Sequence, residues 1–167
     1  YGGAPLLSET IEYNTGLHVD HYMEINFVSF AELVDAVGGI TVEFPHPVRD
    51  ESSGLSIEVA GPNRLNGSEA LAYVRSRHYT ELIDGRWVTE PTADLGRTER
   101  QRAFLVSLMD ELAGERNPIS LLRVPGALGG GMKLDTTLGY LDSLQLVWRM
   151  RGIDPAPVEL PVTPRTT

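Results

Sequence analysis

The segment from residue 65 to residue 77 reads LNGSEALAYVRSR and carries the clearest local signals in the chain. Asn66 is a favourable N-cap, and Glu69 follows three residues later, as is typical of a helix start. The pattern predicts a helix over residues 68–74. Arg75 and Arg77 follow directly, and residues two apart in an extended segment point to the same side. We therefore expect two guanidiniums side by side just after this helix.

A second segment, residues 94–101, reads DLGRTERQ. Asp94 is the predicted cap of the most strongly amphipathic helix in the chain, which ends before Gly114. Arg97 and Gln101 are four residues apart and share one face near the start of that helix. Helix N-termini attract anions, and guanidiniums bind phosphate oxygens in pairs. Together the two segments predict a site for one pyrophosphate group.

The distribution of charge supports an anion site. Residues 75–102 contain six arginines and five acidic residues, a net of +1, so that the chain total of −9 leaves −10 elsewhere. A local cluster of arginines in an otherwise acidic protein indicates a specific anion site. The alternative for Arg75 and Arg77 is a solvated surface. Arg100 and Arg102 fit ion pairs with Glu99 or Asp94, or solvent, better than they fit a substrate.

The rest of the chain alternates between helical and strand patterns. Helices are predicted over residues 5–14, 29–37, 94–113, 118–128 and 138–150, and strands over 21–27, 40–44, 55–59 and 158–162. The second of these helices opens with a capping box at Ser29, and Leu134 is assigned to a strand end. A loop is predicted over residues 45–54, a turn over 61–63 and an irregular polar segment over 75–93. This order predicts an α/β fold.

Composition narrows the class of protein. A length of 167 residues fits one domain, and the net charge of −9 argues against a nucleic-acid partner. The chain has no cysteine, which excludes disulfides and thiolate zinc sites. The histidines at positions 18, 21, 46 and 78 do not have the spacing of metal ligands. No apolar run approaches the roughly 18 residues of a membrane helix. The chain begins at Tyr1 and not at Met, so we expect a trimmed or processed piece.

The first segment resembles the signature of the LytR-CpsA-Psr family, in which Leu, Asp or Asn, and Gly precede Ala-Leu, an aromatic residue, Val and Arg-x-Arg. The second segment is similar to the family's Asp-x-x-Arg-x-x-Arg-Gln, met here by Asp94, Arg97, Arg100 and Gln101. Further similar stretches are YGG at 1–3, TGL at 15–17, DHY at 20–22, LVDAVGGI at 33–40 and LPV at 160–162. The resemblance covers nearly the whole chain, with a partial domain over residues 1–163 and a tail over 164–167.

The resemblance implies an α-β-α sandwich with a central mixed sheet flanked by helices. It implies a phosphotransferase that moves a glycopolymer phosphate from a polyprenyl-diphosphate carrier onto a hydroxyl of peptidoglycan. By residue matching, Arg75, Arg77 and Arg97 would be catalytic and would bind the diphosphate together with Gln101. Asp94 would organise the arginines or the shell of a metal, and its alternative role is a plain helix cap. Five apolar residues are candidates to line a lipid tunnel, with ordinary core as the alternative for each: Ile25, Phe27, Phe104, Leu105 and Leu108.

The resemblance also implies groups that this chain does not supply. In the family, two aspartates that hold Mg²⁺ and another diphosphate-binding arginine precede the region that corresponds to Tyr1. We therefore expect Mg²⁺ as cofactor with its ligands upstream, a membrane anchor before this chain, and an extracytoplasmic location at the cell membrane and wall. The missing N-terminal fragment is itself a candidate partner, and activity of the isolated chain is doubtful.

Two other functions remain open from the sequence. One is a polyprenyl-phosphate-binding or scaffold domain without turnover, which the same arginines would serve. The other is a transcriptional regulator, against which the acidic surface and the lack of a helix-turn-helix signature argue. The arginine-rich composition, together with Leu95-Gly96 in the Asp-to-Arg spacer, suggests an actinobacterial source, for which the glycopolymer would be arabinogalactan.

Overall fold

The computed structural model describes residues 3–114, 131–134 and 149. The helices are α1 (Gly3–Thr15), α2 (Phe27–Ala36), α3 (Gly67–Arg75) and α4 (Ala93–Gly114). The strands are β1 (Met23–Ile25), β2 (Ile40–Phe44), β3 (Val48–Asp50), β4 (Leu55–Ile57), β5 (Gly61–Leu65), β6 (Thr80–Ile83), β7 (Arg86–Thr89) and β8 (Met132–Leu134). The α/β class predicted from the sequence is confirmed.

The described strands form three antiparallel sheets. β1 pairs with β8, β2 pairs with β5, and a four-stranded sheet has the order β4-β3-β6-β7. β2 alternates strictly between buried and exposed residues, with Ile40, Val42 and Phe44 facing inward. This is the period of two that a half-buried strand requires. α4 packs on β2 and on α3, and α3 also packs on α2. The core therefore lies between these helices and β2.

The contact between α2 and α3 depends on one glycine. A Cβ on Gly67, the first residue of α3, would collide with the backbone of Ala31 in α2. The Gly67 N–H also donates to the Asp35 carboxylate at 2.7 Å. The capping by Asn66 is confirmed, because its side chain accepts from the backbone of Ser68 and Glu69 in a complete capping box. The start of α3 is thus fixed both by its cap and by its neighbour helix.

Several predicted boundaries were wrong. α2 begins at Phe27 with Asn26 as its cap, where a strand had been predicted through Phe27 and a cap at Ser29. The predicted loop over residues 45–54 contains β3, and the predicted turn over 61–63 lies inside β5. The irregular polar segment over residues 75–93 contains the hairpin β6–β7. These strands are only three to five residues long, and pairing with neighbouring strands determines their conformation more than local preference does. α1 extends one or two residues beyond the predicted helix at each end.

Some predictions lie outside the described residues. They are the helix over 118–128, the strand over 158–162, the tail over 164–167 and, apart from Arg149, the helix over 138–150. The assignment of Leu134 to a strand end is confirmed by β8.

Candidate functional site

The residues Arg75, Ser76, Arg77 and His78 form a tight segment after α3, which we call the arginine turn. Arg75 is the last helical residue and Ser76 is the C-cap. Ser76 is fully buried, whereas the two arginines on either side of it are exposed. The turn is therefore anchored by the buried Ser76, and both guanidiniums face solvent. Because Arg75 still belongs to α3, the extended segment predicted to carry both arginines was wrong at Arg75.

The anchor of the arginine turn is Asp50, the last residue of β3. Its Oδ2 accepts hydrogen bonds from Ser76 Oγ at 2.7 Å, Arg77 N at 2.9 Å and His78 N at 2.8 Å. Its Oδ1 accepts from Ser52 N at 2.9 Å and Ser52 Oγ at 2.6 Å. Burial by itself would raise the pKa of Asp50, but the hydrogen bonds donated to the carboxylate hold it well below its ordinary value of 3.8. The carboxylate is thus ionised at neutral pH.

The second half of the site is the first turn of α4. Asp94 Oδ1 lies 3.4 Å from Arg77 Nε and 3.2 Å from Arg97 Nη2. One carboxylate oxygen therefore joins the arginine turn to α4. α4 begins at Ala93, so Asp94 lies inside the first turn and not before it, and the prediction of Asp94 as N-cap was wrong. The contacts agree with the other predicted role of Asp94, the organisation of the arginines.

Arg97 has unsatisfied hydrogen-bonding capacity. Its side chain is 26% exposed, yet its Nε is buried and has no hydrogen-bond partner among the residues that the structure describes. Arg100 Nε is likewise buried without a hydrogen-bond partner among these residues, so this feature does not distinguish Arg97 from its structural neighbour.

Arg100 is structural in this arrangement. Its Nη1 donates to Glu90 Oε2 at 2.6 Å, its Nη2 donates to the Ser76 carbonyl at 2.8 Å, and its guanidinium carbon lies 4.4 Å from the centre of the Tyr79 ring. Gly96 makes room for this pair, because a Cβ there would collide with the Glu90 carboxylate. The sequence predicted that Arg100 would pair with Glu99 or Asp94; it does pair with a carboxylate, but the predicted partners were wrong, since the partner is Glu90.

Gln101, predicted to bind the diphosphate, lies one residue further along α4. Its Nε2 donates to the Val74 carbonyl at 3.1 Å, near the end of α3. Carbonyls in the last turn of a helix lack intrahelical partners, and Gln101 satisfies one of them. The geometry brings Gln101 beside the arginine turn, and its contact with a diphosphate stays a prediction.

Arg75 lies over an aromatic ring. Its guanidinium carbon is 4.9 Å from the centre of the Phe27 ring, within the usual range of a cation–π contact. Phe27 is 61% exposed and opens α2, and Ile25 lies just before it on β1, half-buried. Phe27, one of the residues proposed for the lipid tunnel, thus contacts the arginine turn.

The other three apolar candidates are on α4. Phe104 and Leu108 are buried in the core, and the Phe104 ring lies 5.2 Å from that of Phe30. Leu105 is 51% exposed. Core packing accounts for Phe104 and Leu108, which was the alternative named for each, and contact of any of the three with lipid stays a prediction.

The described residues do not fit the expected metal. Asp94 is the carboxylate at the site, and its Oδ1 is already shared by two arginines. Within residues 3–114, 131–134 and 149, no group of three or more His, Asp or Glu side chains is placed to hold an ion. Mg²⁺ prefers six oxygen ligands, of which this site would supply very few. We derive no step through a metal from these residues.

Two residues that support the site, Asp50 and Glu90, were not predicted from the sequence. Asp50 accepts hydrogen bonds from the arginine turn, and Glu90 accepts one from Arg100. Asp50 stands in a stretch predicted as loop, 26 residues before Ser76. No local pattern reports a hydrogen bond over that separation. The hairpin that carries Tyr79 and Glu90 did have a signal: Asp84-Gly85, both with positive φ, is a favoured two-residue hairpin turn between apolar pairs.

The fold and the site define a class: an α/β protein with a cluster of arginines between the end of one helix and the start of another. The chain belongs to the LytR-CpsA-Psr family, whose model matches residues 1–164. Among relatives, it is 39% identical over 108 residues to the probable cell wall biosynthesis protein LcpB of Corynebacterium glutamicum. That match covers 65% of this chain and 23% of LcpB.

Two further relatives extend the comparison. The chain is 28% identical over 149 residues to the polyisoprenyl-teichoic acid–peptidoglycan teichoic acid transferase TagU of Enterococcus faecalis, covering 89% of this chain and 45% of TagU. The solved structure of a LytR-Csp2A-Psr enzyme from Actinomyces oris matches with a TM-score of 0.70 and 35% identity, over 80% of this chain and 51% of that one. The chain thus spans less than half the length of these two curated relatives and about half of the solved chain.

No helix in the described part of the chain is long and apolar enough to cross a membrane.

Proposed function

We propose that this chain belongs to a phosphotransferase of cell wall assembly, which moves a glycopolymer phosphate from a polyprenyl-diphosphate carrier onto peptidoglycan. The observation that carries the proposal is the shared oxygen of Asp94, which lies within 3.4 Å of guanidinium nitrogens from both Arg77 and Arg97. Guanidiniums from two elements are thereby held together at the surface, with Arg75 at the other end of the arginine turn. The names of LcpB and TagU, both proteins of the cell wall, support the same assignment.

The arrangement suits a diphosphate for electrostatic reasons. Two guanidiniums, those of Arg77 and Arg97, and the Asp94 carboxylate leave a net positive charge at the start of α4, where free backbone N–H groups also favour anions. In the proposed reaction, the acceptor hydroxyl oxygen bonds to the glycan-side phosphorus as the bond from that phosphorus to the bridging oxygen breaks. The hydroxyl proton is released, and polyprenyl phosphate leaves. The arginines stabilise charge on the transferred and leaving oxygens.

The remaining parts of the proposal rest on the family resemblance. They are Mg²⁺ held by aspartates that precede Tyr1, a membrane anchor, and action on the extracytoplasmic face of the cell envelope. Phe27, whose ring lies under the Arg75 guanidinium, and Ile25 two residues before it are proposed to contact the first isoprene units of the carrier. Which glycopolymer is carried, arabinogalactan or another, is a question of substrate specificity that the arginine site does not determine.

The test compares arginines on one helix. Arg97→Ala should weaken binding of geranylgeranyl diphosphate about ten-fold or more, because a charge-assisted hydrogen bond is removed. Arg102→Ala, an exposed position of α4, is the matched control and should leave the affinity within about two-fold. Binding is measured by calorimetry on this chain, and transfer is measured with Mg²⁺, a lipid-linked glycan and peptidoglycan fragments in the longer protein that includes the region before Tyr1. Equal losses in both variants would reject the site, and binding without transfer would reduce the function to carrier binding.

A further inference from the structure

We propose that Asp50 is a positioning residue of the diphosphate site, which fixes the backbone of the arginine turn and thereby sets where the Arg77 guanidinium lies. The inference rests on the proposed function of Arg77. It assigns a role to a residue of β3 that lies outside both arginine-bearing segments and does not itself face the anion.

The contacts of Asp50 are concentrated on the arginine turn. Its carboxylate is 1% exposed, and Oδ2 accepts from Ser76 Oγ, Arg77 N and His78 N within 2.9 Å. Oδ1 accepts from Ser52 and, at 3.3 Å, from the Ser53 N–H. All of these partners are donors, so both carboxylate oxygens must act as acceptors, as they do when Asp50 is ionised. An asparagine at this position would offer only one acceptor oxygen.

The turn is held from a second direction as well. The Ser76 carbonyl accepts from Arg100 Nη2 at 2.8 Å, while the Ser76 hydroxyl donates to Asp50. Backbone on both sides of the Arg77 Cα is therefore fixed by buried partners, at Ser76 and at the His78 N–H. The Arg77 side chain, by contrast, is more than half exposed and meets only the exposed Asp94 among the ion pairs of the described residues.

This contrast explains why Asp50 matters for binding. A long exposed side chain loses rotamer freedom when it binds a ligand, and fixing its backbone reduces the volume that it samples beforehand. Sites built on supported backbone bind more tightly than the same side chains on a mobile loop. A purely structural Asp50 would change the fraction of folded protein, and an Asp50 that positions Arg77 would change the affinity of the folded fraction.

The experiment is a double-mutant cycle in this chain with geranylgeranyl diphosphate as the probe. Asp50→Asn, studied where circular dichroism shows it folded, should weaken binding about ten-fold, as expected when a charge-assisted contact is lost. In the Arg77→Ala background the same change should cost less than about two-fold. Asp35→Asn is the matched control, because Asp35 holds the other end of α3 through Gly67 N, and it should leave the affinity unchanged.

The possible outcomes separate the two proposals. If Arg77→Ala binds the probe as wild type does, the proposed diphosphate site fails. If Arg77→Ala weakens binding but Asp50→Asn has no effect, or has the same effect in both backgrounds, only the positioning role fails. Should Asp50→Asn not fold, Ser76→Ala replaces it: this variant keeps the carboxylate, removes one donor to Oδ2, and should weaken binding about three-fold only when Arg77 is present. Wild-type affinity in Ser76→Ala would then overturn the inference.

Discussion

Asp50 on β3 and Asp94 on α4 both hold the arginine turn, but they do so from opposite environments. Asp50 is 1% exposed and accepts from backbone N–H groups and serine hydroxyls. Asp94 has a side chain that is 72% exposed and contacts two guanidiniums. The buried carboxylate fixes where the chain runs, and the exposed one influences where the charged side chains point.

The difference between the two aspartates indicates that separate parts of the site contribute to folding stability and to ligand binding. Hydrogen bonds buried in low dielectric are costly to lose, because the partners that remain cannot turn to water. Exposed ion pairs contribute little to folding, because water and salt screen them. We infer that the region around Asp50 carries the stability of the arginine turn, and that the region around Asp94 can reorganise when an anion arrives.

The largest expected effect follows from removing each carboxylate in turn. Asp50→Ala should lower the free energy of unfolding by about 3 kcal/mol, because several buried donors lose their acceptor at once. Asp94→Ala should change it by less than about 1 kcal/mol. Urea denaturation of both variants beside wild type measures the difference. If both variants lost the same free energy of unfolding, the buried Asp50 and the exposed Asp94 would contribute equally to stability, against this interpretation.

A smaller effect is expected at Gly96, which lies between the two regions. Alanine in a helix interior ordinarily stabilises by up to about 1 kcal/mol relative to glycine. Here the added Cβ displaces the Glu90 carboxylate and leaves the buried Arg100 without its ion-pair partner. We expect Gly96→Ala to destabilise by about 2 kcal/mol in thermal or urea unfolding, opposite in sign to the helix preference.

The control for Gly96 is its neighbour. Leu95 is exposed on the same helix turn, and Leu95→Ala should change stability by less than about 0.5 kcal/mol. A stabilised Gly96→Ala would show that Glu90 can move aside without loss, and that the ion pair with Arg100 is not needed to hold the arginine turn.

The sequence predicted those parts of the fold whose signals are local. The helix after Asn66 was recognised from its cap and from Glu69, and β2 from its strict alternation. Short strands with few apolar residues were not recognised: β3 was taken for loop and β5 for a turn. Their conformation is set by the strands that pair with them, which a window of a few residues does not contain.

The candidate site shows the same limit. Arg75, Arg77 and Arg97 were identified because they stand at fixed spacings after or inside helices. Asp50 and Glu90, which determine how those arginines are supported, were missed because hydrogen bonds that cross 10 to 28 residues leave no periodic trace. The side chains proposed to bind a ligand could be identified from the sequence, whereas the buried residues that support them could be identified only from the fold.

The last prediction concerns the contribution of Asp50 to the free energy of unfolding at acidic pH. The pKa of Asp50 lies well below its ordinary value of 3.8 in the folded protein, despite burial, because of the hydrogen bonds that it accepts. As pH falls below 3.8, the unfolded chain takes up a proton at this position before the folded chain does, so the stabilisation present at neutral pH is lost progressively. The free-energy difference between wild type and Asp50→Asn should therefore be constant above about pH 5, shrink by about 1 kcal/mol in total by pH 3, and approach a slope of about 1.4 kcal/mol per pH unit at still lower pH. Urea denaturation from pH 7 to pH 3 measures it. A difference that stays constant to pH 3 would mean that Asp50 titrates alike in both states, and that the hydrogen bonds to the arginine turn do not favour its ionised form.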